Sequence, residues 1–338
     1  MLSLTYPTSL DYNIMYLNIV NFKIIKLEGE MRMLRNKWWL FLALLILIIL
    51  VSACSDEAST QGELGIPDDI PSLEDLDPDD PMAPYVKYGE EIFSETSTVL
   101  SERVGNELSC ASCHADGGVS NTISMVGVTM NYPAFRPREN VIFTIEDRIN
   151  GCMKRSMNGE PLDYESEEMR AIASYLTHIS DGVEKEDATW LGLDAMEEIP
   201  EPDAVNGEEL FEKKNCLSCH AADGSGKGMT SGPALWGEGS FNDGAGLNRL
   251  SDMAGFIKGY MPKYDPGSLT DQEAADLAAF LLSRERPVWE GHDTDWEKGG
   301  RPTDIITQDR REKIREGTFD WTELDNIIPE KKYDYQKE

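Results

Sequence analysis

Two stretches of the chain carry the apolar spacing of an amphipathic helix, and they occupy matching places in two halves. Residues 166–177 (SEEMRAIASYLT) put Met169, Ile172, Ala173 and Leu176 at i, i+3, i+4 and i+7, one face of a 3.6-residue period, behind Ser166 as an N-cap. Residues 270–283 (TDQEAADLAAFLLS) open on a Thr270/Glu273 capping box and bring Leu277, Phe280 and Leu281 to one side. Upstream of each stands a second matched pair, GEEIF at 89–93 and GEELF at 207–211, so the chain contains an internal repeat. No stretch shows a convincing strand alternation. Helix, motif, long loop, helix in each half predicts an all-α fold of two tandem cytochrome c-like domains, at 84–180 and 206–305, with a polar linker at 181–205 in which Trp190 and Leu191 pack on a neighbour. A polar C-terminal tail follows at 306–338.

The N-terminus has a different pattern. Arg32, Arg35 and Lys37 precede an uninterrupted apolar run at 38–51 (WWLFLALLILIILV), shorter than the roughly 20 residues of a spanning helix and shaped like an export signal. It ends in VSAC, which looks like the lipobox of bacterial lipoproteins. Residues 1–53 are therefore expected to be an export signal with a non-native extension, Met31 or Met33 being alternative starts, and Cys54 the lipidated first residue of the mature chain. Two or more acyl chains hold a protein on a membrane where one does not; an uncleaved signal anchor is the alternative. Residues 54–83 read as an acidic tether, with ten carboxylates and no basic residue between 55 and 81, too charged to fold alone. The expected location is the outer face of the bacterial cell membrane, held by the lipid anchor.

Charge narrows the partners. Residues 1–53 hold 5 of the 31 Lys and Arg and 3 of the 62 Asp and Glu, so the remainder has 26 against 59, a net charge of −33. Nucleic acid and anionic headgroups are poor partners for such a surface.

The chemistry sits in the six cysteines. CASCH at 110–114 and CLSCH at 216–220 have the spacing at which two thiols bond one haem and the adjacent histidine ligates its iron. Two haem c groups are predicted, one on Cys110, Cys113 and His114, the other on Cys216, Cys219 and His220. A four-thiolate zinc site leaves both histidines unexplained, and a redox dithiol needs a βαβ pattern that is absent here. For the second axial position of haem two the donor is Met261, 41 residues after His220 in FIKGYMP, with Lys258 and Met253 as competitors. The corresponding place in the first half, 38 residues after His114, is held by Cys152. With Cys54 lipidated and four thiols on haem, Cys152 has no disulfide partner in an exported protein, which points to a function. We read it as the ligand of haem one; a small buried cysteine, or a methionine ligand from Met125, Met130, Met153, Met157 or Met169, are the alternatives. Between 136 and 155 five basic residues face three acidic ones, a locally cationic stretch suited to an anion.

EDRINGCMKRSMNG (146–159), SGPALWGEGSFNDGAGLNRL (231–250), FIKGYMP (256–262) and RPVWEGHDTDWEKGGRPTD (286–304) together resemble the dihaem thiosulfate dehydrogenases, which also work as tetrathionate reductases, over roughly 84–305. The resemblance implies that His114 and Cys152 ligate a catalytic haem one, that His220 and Met261 ligate haem two, and that Arg138, Arg148, Arg155 and Ser156 line the substrate pocket. It further implies thiosulfate and tetrathionate as substrates, and electrons leaving through haem two to a redox partner such as another cytochrome c or a terminal oxidase. Family members commonly carry a lysine where Tyr260 stands beside Met261. The chemistry agrees with the cationic stretch, since two thiosulfate dianions at about 4 Å repel by roughly 4 kcal/mol in water and about 17 kcal/mol at an effective dielectric near 20. Two other readings are a thiosulfate-conjugating cytochrome and a dihaem electron carrier without catalysis.

Overall fold

The matched glycines of the repeat mark where helices cross. α1 (Ala83–Ser94) lies across α3 (Glu167–His178), with α2 (Ile145–Arg155) between them in the chain. A Cβ on Gly89 would stand 2.0 Å from the Ala171 carbonyl oxygen. In the second half α4 (Ala204–Lys213) crosses α6 (Asp271–Ser283) in the same way, with α5 (Leu250–Tyr260) between them, and a Cβ on Gly207 would stand 2.1 Å from the Asp276 carbonyl oxygen. Only glycine permits this approach. Gly→Ala inside a helix ordinarily gains about 1 kcal/mol; at Gly89 the backbone clash reverses the sign, and Gly89→Ala is expected to cost about 1–3 kcal/mol, read as a lower melting temperature of the purified protein.

The computed structural model describes residues 65–324 except 186, 187, 189 and 190. Cys54, the apolar run before it and Trp190 lie outside the described residues. No helix among the described residues is long and apolar enough to cross a membrane. Both closing helices form as the spacing predicts: Ser166 caps α3 through the Met169 amide, and the Thr270/Glu273 box opens α6. Their apolar faces bury Met169, Ile172 and Leu176 in one half and Leu277, Phe280 and Leu281 in the other.

Four features differ from the sequence reading. A hairpin, β1 (Ala134–Arg136) against β2 (Val141–Phe143), interrupts the first half; its strands are too short to show alternation, and Asn140 at φ 54° supplies the left-handed turn residue. Cys152 lies inside α2 rather than in a loop, because a Thr144/Asp147 capping box, acids in the first turn and bases in the last stabilise a helix of polar composition. The distal part of the acidic segment is laid on the first domain: Ile66 is buried against Val126 and Val183, and Ile70, Leu73 and Leu76 pack on the core. Past 305 the chain continues as α7 (Gln308–Arg315) and a turn at Trp321–Leu324, burying Ile306, Arg311, Ile314 and Leu324. In the linker, Leu191 is half-buried, and the Met196 amide donates to the Ser251 carbonyl at 3.0 Å.

The two halves are joined by polar contacts. The Asn106 side chain donates to the carbonyls of Ser156 (2.7 Å) and Ser240 (3.0 Å). Asn242 donates from its side chain to the Lys154 carbonyl (2.9 Å) and from its amide to the Arg155 carbonyl (3.2 Å). These bonds fix the C-terminal end of α2 against the second half, and that end carries the residues of the site.

Candidate functional site: two haem motifs and a cationic cavity

Each Cys-x-x-Cys-His motif presents its histidine in the same way. His114 Nδ1 lies 2.7 Å from the Ile123 carbonyl and His220 Nδ1 lies 2.9 Å from the Pro233 carbonyl. A carbonyl only accepts, so Nδ1 carries the proton and Nε2 is left unprotonated with its lone pair free. Burial pushes the His114 imidazole down to about 4 and His220 down as well, so both rings are neutral at neutral pH, the state in which imidazole ligates a metal. Ile123 holds its carbonyl on His114 from a left-handed backbone, φ 45°, a costly conformation for a β-branched residue of the kind that persists at functional positions.

Cys152 is brought to the first motif. Burial pushes the thiols of Cys110 and Cys113 up to about 11 and about 12, and in both the nearby Cys152 sulfur adds to the rise. One turn earlier on α2, Arg148 donates from Nη1 to Cys152 Sγ at 2.9 Å. The charge of the sulfur raises the Arg148 pKa above its ordinary value. Tyr132 stands beside the same pair; nothing in its local sequence singled it out. In the second half, Met261 follows α5 directly and is half-buried against the core. Of its competitors, Lys258 directs its amine to the Leu269 carbonyl (2.5 Å) and Asp271 (3.2 Å), and Met253 is buried in the core. Among the alternatives in the first half, Met153, Met157 and Met169 are core residues.

A cavity of about 120 Å³ opens beside α2, and Arg138, Arg148, Arg155 and Ser156 all stand on its wall. The hairpin contributes Arg136 and Arg138, α2 contributes Arg148 and Arg155, and the second half contributes Asp243 and Arg249. The segment after α6 closes the remaining side with His292, Asp295, Trp296 and Arg301. Asp295 is the link that sequence reasoning missed. Its carboxylate accepts from Arg138 (2.5 Å), Arg155 (3.3 Å) and the Trp289 indole (3.1 Å). Arg155 also pairs with Glu139 at 2.6 Å and lies over the Trp289 ring at 5.4 Å. Burial pushes the Asp295 carboxyl up, but the Arg138 bond and the charges of Arg138 and Arg155 more than offset it, leaving its pKa below the ordinary value. Two of the three expected arginines are thus already held by carboxylates, while Arg148 is held by a sulfur.

Comparison with known proteins agrees with this division into halves. Residues 90–184 match the model of the SoxA/TsdA cytochrome c domain, and residues 204–285 match that of cytochrome c. The thiosulfate dehydrogenase of Psychrobacter arcticus is 38% identical over 260 residues, 74% of this chain and 77% of that protein. That of Allochromatium vinosum is 38% identical over 223 residues, 63% of this chain and 82% of that protein. The chain belongs to the thiosulfate dehydrogenase family. The as-isolated structure of a thiosulfate dehydrogenase (TsdBA) from Marichromatium purpuratum superposes with a TM-score of 0.59 at 31% identity, covering 64% of this chain; this chain spans about half (49%) of that one.

As a member of the family, the chain carries two haem c groups. Its residues fit them. The four motif cysteines form no disulfide, and each motif histidine keeps Nε2 available while its Nδ1 is held by a carbonyl, the outer bond typical of a ligating imidazole. Among the described residues no three His, Cys, Asp or Glu side chains converge to hold a metal ion, so the four-thiolate zinc alternative has no site there.

Proposed function

We propose that this protein oxidises thiosulfate, coupling two molecules to tetrathionate, in a reaction that also runs in reverse. The observation that carries the reading is the Arg148–Cys152 bond (2.9 Å) beside the first haem motif, made by an arginine that also stands on the wall of an arginine-lined cavity; the names of the relatives that match across both halves support it. The reaction joins the two sulfane sulfurs in one new S–S bond and releases two electrons and no proton. Haem c, when bound, would supply the electron acceptors, held by Cys110, Cys113 and His114 in the first half and by Cys216, Cys219 and His220 in the second, with an outside redox partner such as a cytochrome c or terminal oxidase taking the electrons onward. The protein's own task is electrostatic. Guanidiniums are always charged and present paired donors to sulfonate oxygens as they do to carboxylate or phosphate, and they offset the repulsion between two dianions. Cys152 would be the sulfur ligand of haem one and Met261 that of haem two, with Arg138, Arg155 and Ser156 completing the pocket.

The matched domain model also covers SoxA proteins, so the thiosulfate-conjugating reading is tested alongside. Purified protein given thiosulfate and ferricyanide, without any carrier protein, is expected to form tetrathionate, and with reduced viologen to convert tetrathionate back. Formation of product only when a carrier protein is added would support the conjugating reading instead.

The same proposal places the protein on the outer face of the bacterial membrane, held by lipid on Cys54, and rests there on the VSAC stretch. Cys54→Ser is expected to abolish labelling by palmitate and processing of the signal. A Cys54→Ser protein that still labels would remove the anchor.

A further inference from the structure

Joining two thiosulfates requires the cavity to hold two dianions together, and the carboxylates around it already hold several of its cations. Asp295 pairs with Arg138 (2.5 Å) and Arg155 (3.3 Å), and Glu139 pairs with Arg155 (2.6 Å). Asp304 and Asp252 pair with Arg249 at 3.2 and 3.5 Å. Asp243 takes the buried Arg311 (3.0 Å) and His292 Nε2 (2.8 Å). Two further arginines of the wall differ from these: Arg148 is bonded to the Cys152 sulfur, and no carboxylate among the described residues pairs with Arg301, which is exposed.

The two come from opposite sides. Arg148 belongs to α2 in the first half, and Arg301 to the segment that follows α6. That segment is fastened across the first half: the Trp296 amide donates to the Arg138 carbonyl at 2.7 Å, and Asp295 accepts from Arg138 and from the Trp289 indole. Arg301 is therefore carried by backbone that is itself pinned to the hairpin, and it is exposed where it lines the cavity. A guanidinium with no carboxylate partner gains more from a dianion than one that must first release its own.

We propose that Arg301 is the cation of a second thiosulfate subsite at the mouth of this cavity, separate from the inner subsite at Arg148 and Cys152. The inference rests on the coupling reading above. In that reaction the outer thiosulfate, held by Arg301, brings its sulfane sulfur to that of the inner one; one S–S bond forms, none breaks, and the two electrons released would be taken up by the two haem c groups when bound.

Arg301→Gln removes the charge at an exposed position and is expected to leave the fold and both haem spectra unchanged. The thiosulfate concentration at half-maximal tetrathionate formation should rise about tenfold with the maximal rate within twofold of the parent, and Arg301→Lys should recover most of the loss. Equilibrium dialysis of thiosulfate against the chemically reduced protein, which cannot accept electrons, should find two sites in the parent, and in Arg301→Gln one site of unchanged affinity and a second weakened about tenfold. Two sites of unchanged affinity in Arg301→Gln, or an unchanged half-saturation, would overturn the subsite. A parent protein that forms no tetrathionate at all would instead remove the coupling reading on which it rests.

Discussion

Cys152→Met is expected to keep both haems covalently attached and still lose at least about a hundredfold in thiosulfate oxidation. The thioether can occupy an axial position, and it raises the potential of haem one toward ordinary His/Met values. It has no negative charge to answer Arg148, whose Nη1 lies 2.9 Å from the Cys152 sulfur, and no reactive sulfur to offer the substrate. Cys152→Ala should lose as much activity without restoring a sixth ligand, so the pair separates ligation from chemistry. Activity and a potentiometric titration on the same preparations read both. Near-normal turnover by Cys152→Met would show the identity of the sulfur to be immaterial and would favour a plain electron carrier.

Arg148→Gln is the second large effect. It removes the cation that bonds the sulfur and faces the inner substrate, and a charge-assisted hydrogen bond of this kind contributes about 1.5–3 kcal/mol, a factor of roughly 10 to 100 in rate. The change should also reach haem one. If Cys152 ligates haem one as proposed, loss of the Arg148 donor would let its sulfur give more electron density to the iron, and the potential of haem one should fall by about 60 mV, one decade in a one-electron equilibrium. Haem two serves as the internal control, since Arg148 bonds a sulfur of the first half. Loss of activity with an unshifted first potential would mean that Arg148 binds substrate only. Arg155, paired with Glu139 and Asp295, should affect substrate capture and leave both potentials in place.

Much of this architecture was legible because it is local. The two haem motifs declare themselves within five residues each, α3 and α6 declare themselves in apolar spacing and caps, and Gly89 and Gly207 repeat because the same helix crossing repeats. Cys152 was found by elimination among six thiols, yet its place on a helix was hidden by the polar composition of residues 145–155. The hairpin escaped because three-residue strands carry no period. Asp295 and Arg301 escaped for a different reason. Asp295 lies 157 residues from Arg138, and no local rule connects a carboxylate near the end of the second domain with an arginine in the first. The available signal was the pair of tryptophans at 289 and 296 in an otherwise hydrophilic segment, since exposed-looking aromatics often mark a segment that packs onto something.

The chemistry itself is tested most directly by counting electrons against product. Purified protein is given thiosulfate with ferricyanide as sole acceptor, and tetrathionate, remaining thiosulfate and reduced ferricyanide are measured in one reaction. The account predicts one tetrathionate for every two thiosulfates consumed and two ferricyanides reduced, with no proton released. Ferricyanide left unreduced by thiosulfate, or reduced without tetrathionate in that ratio, would contradict it.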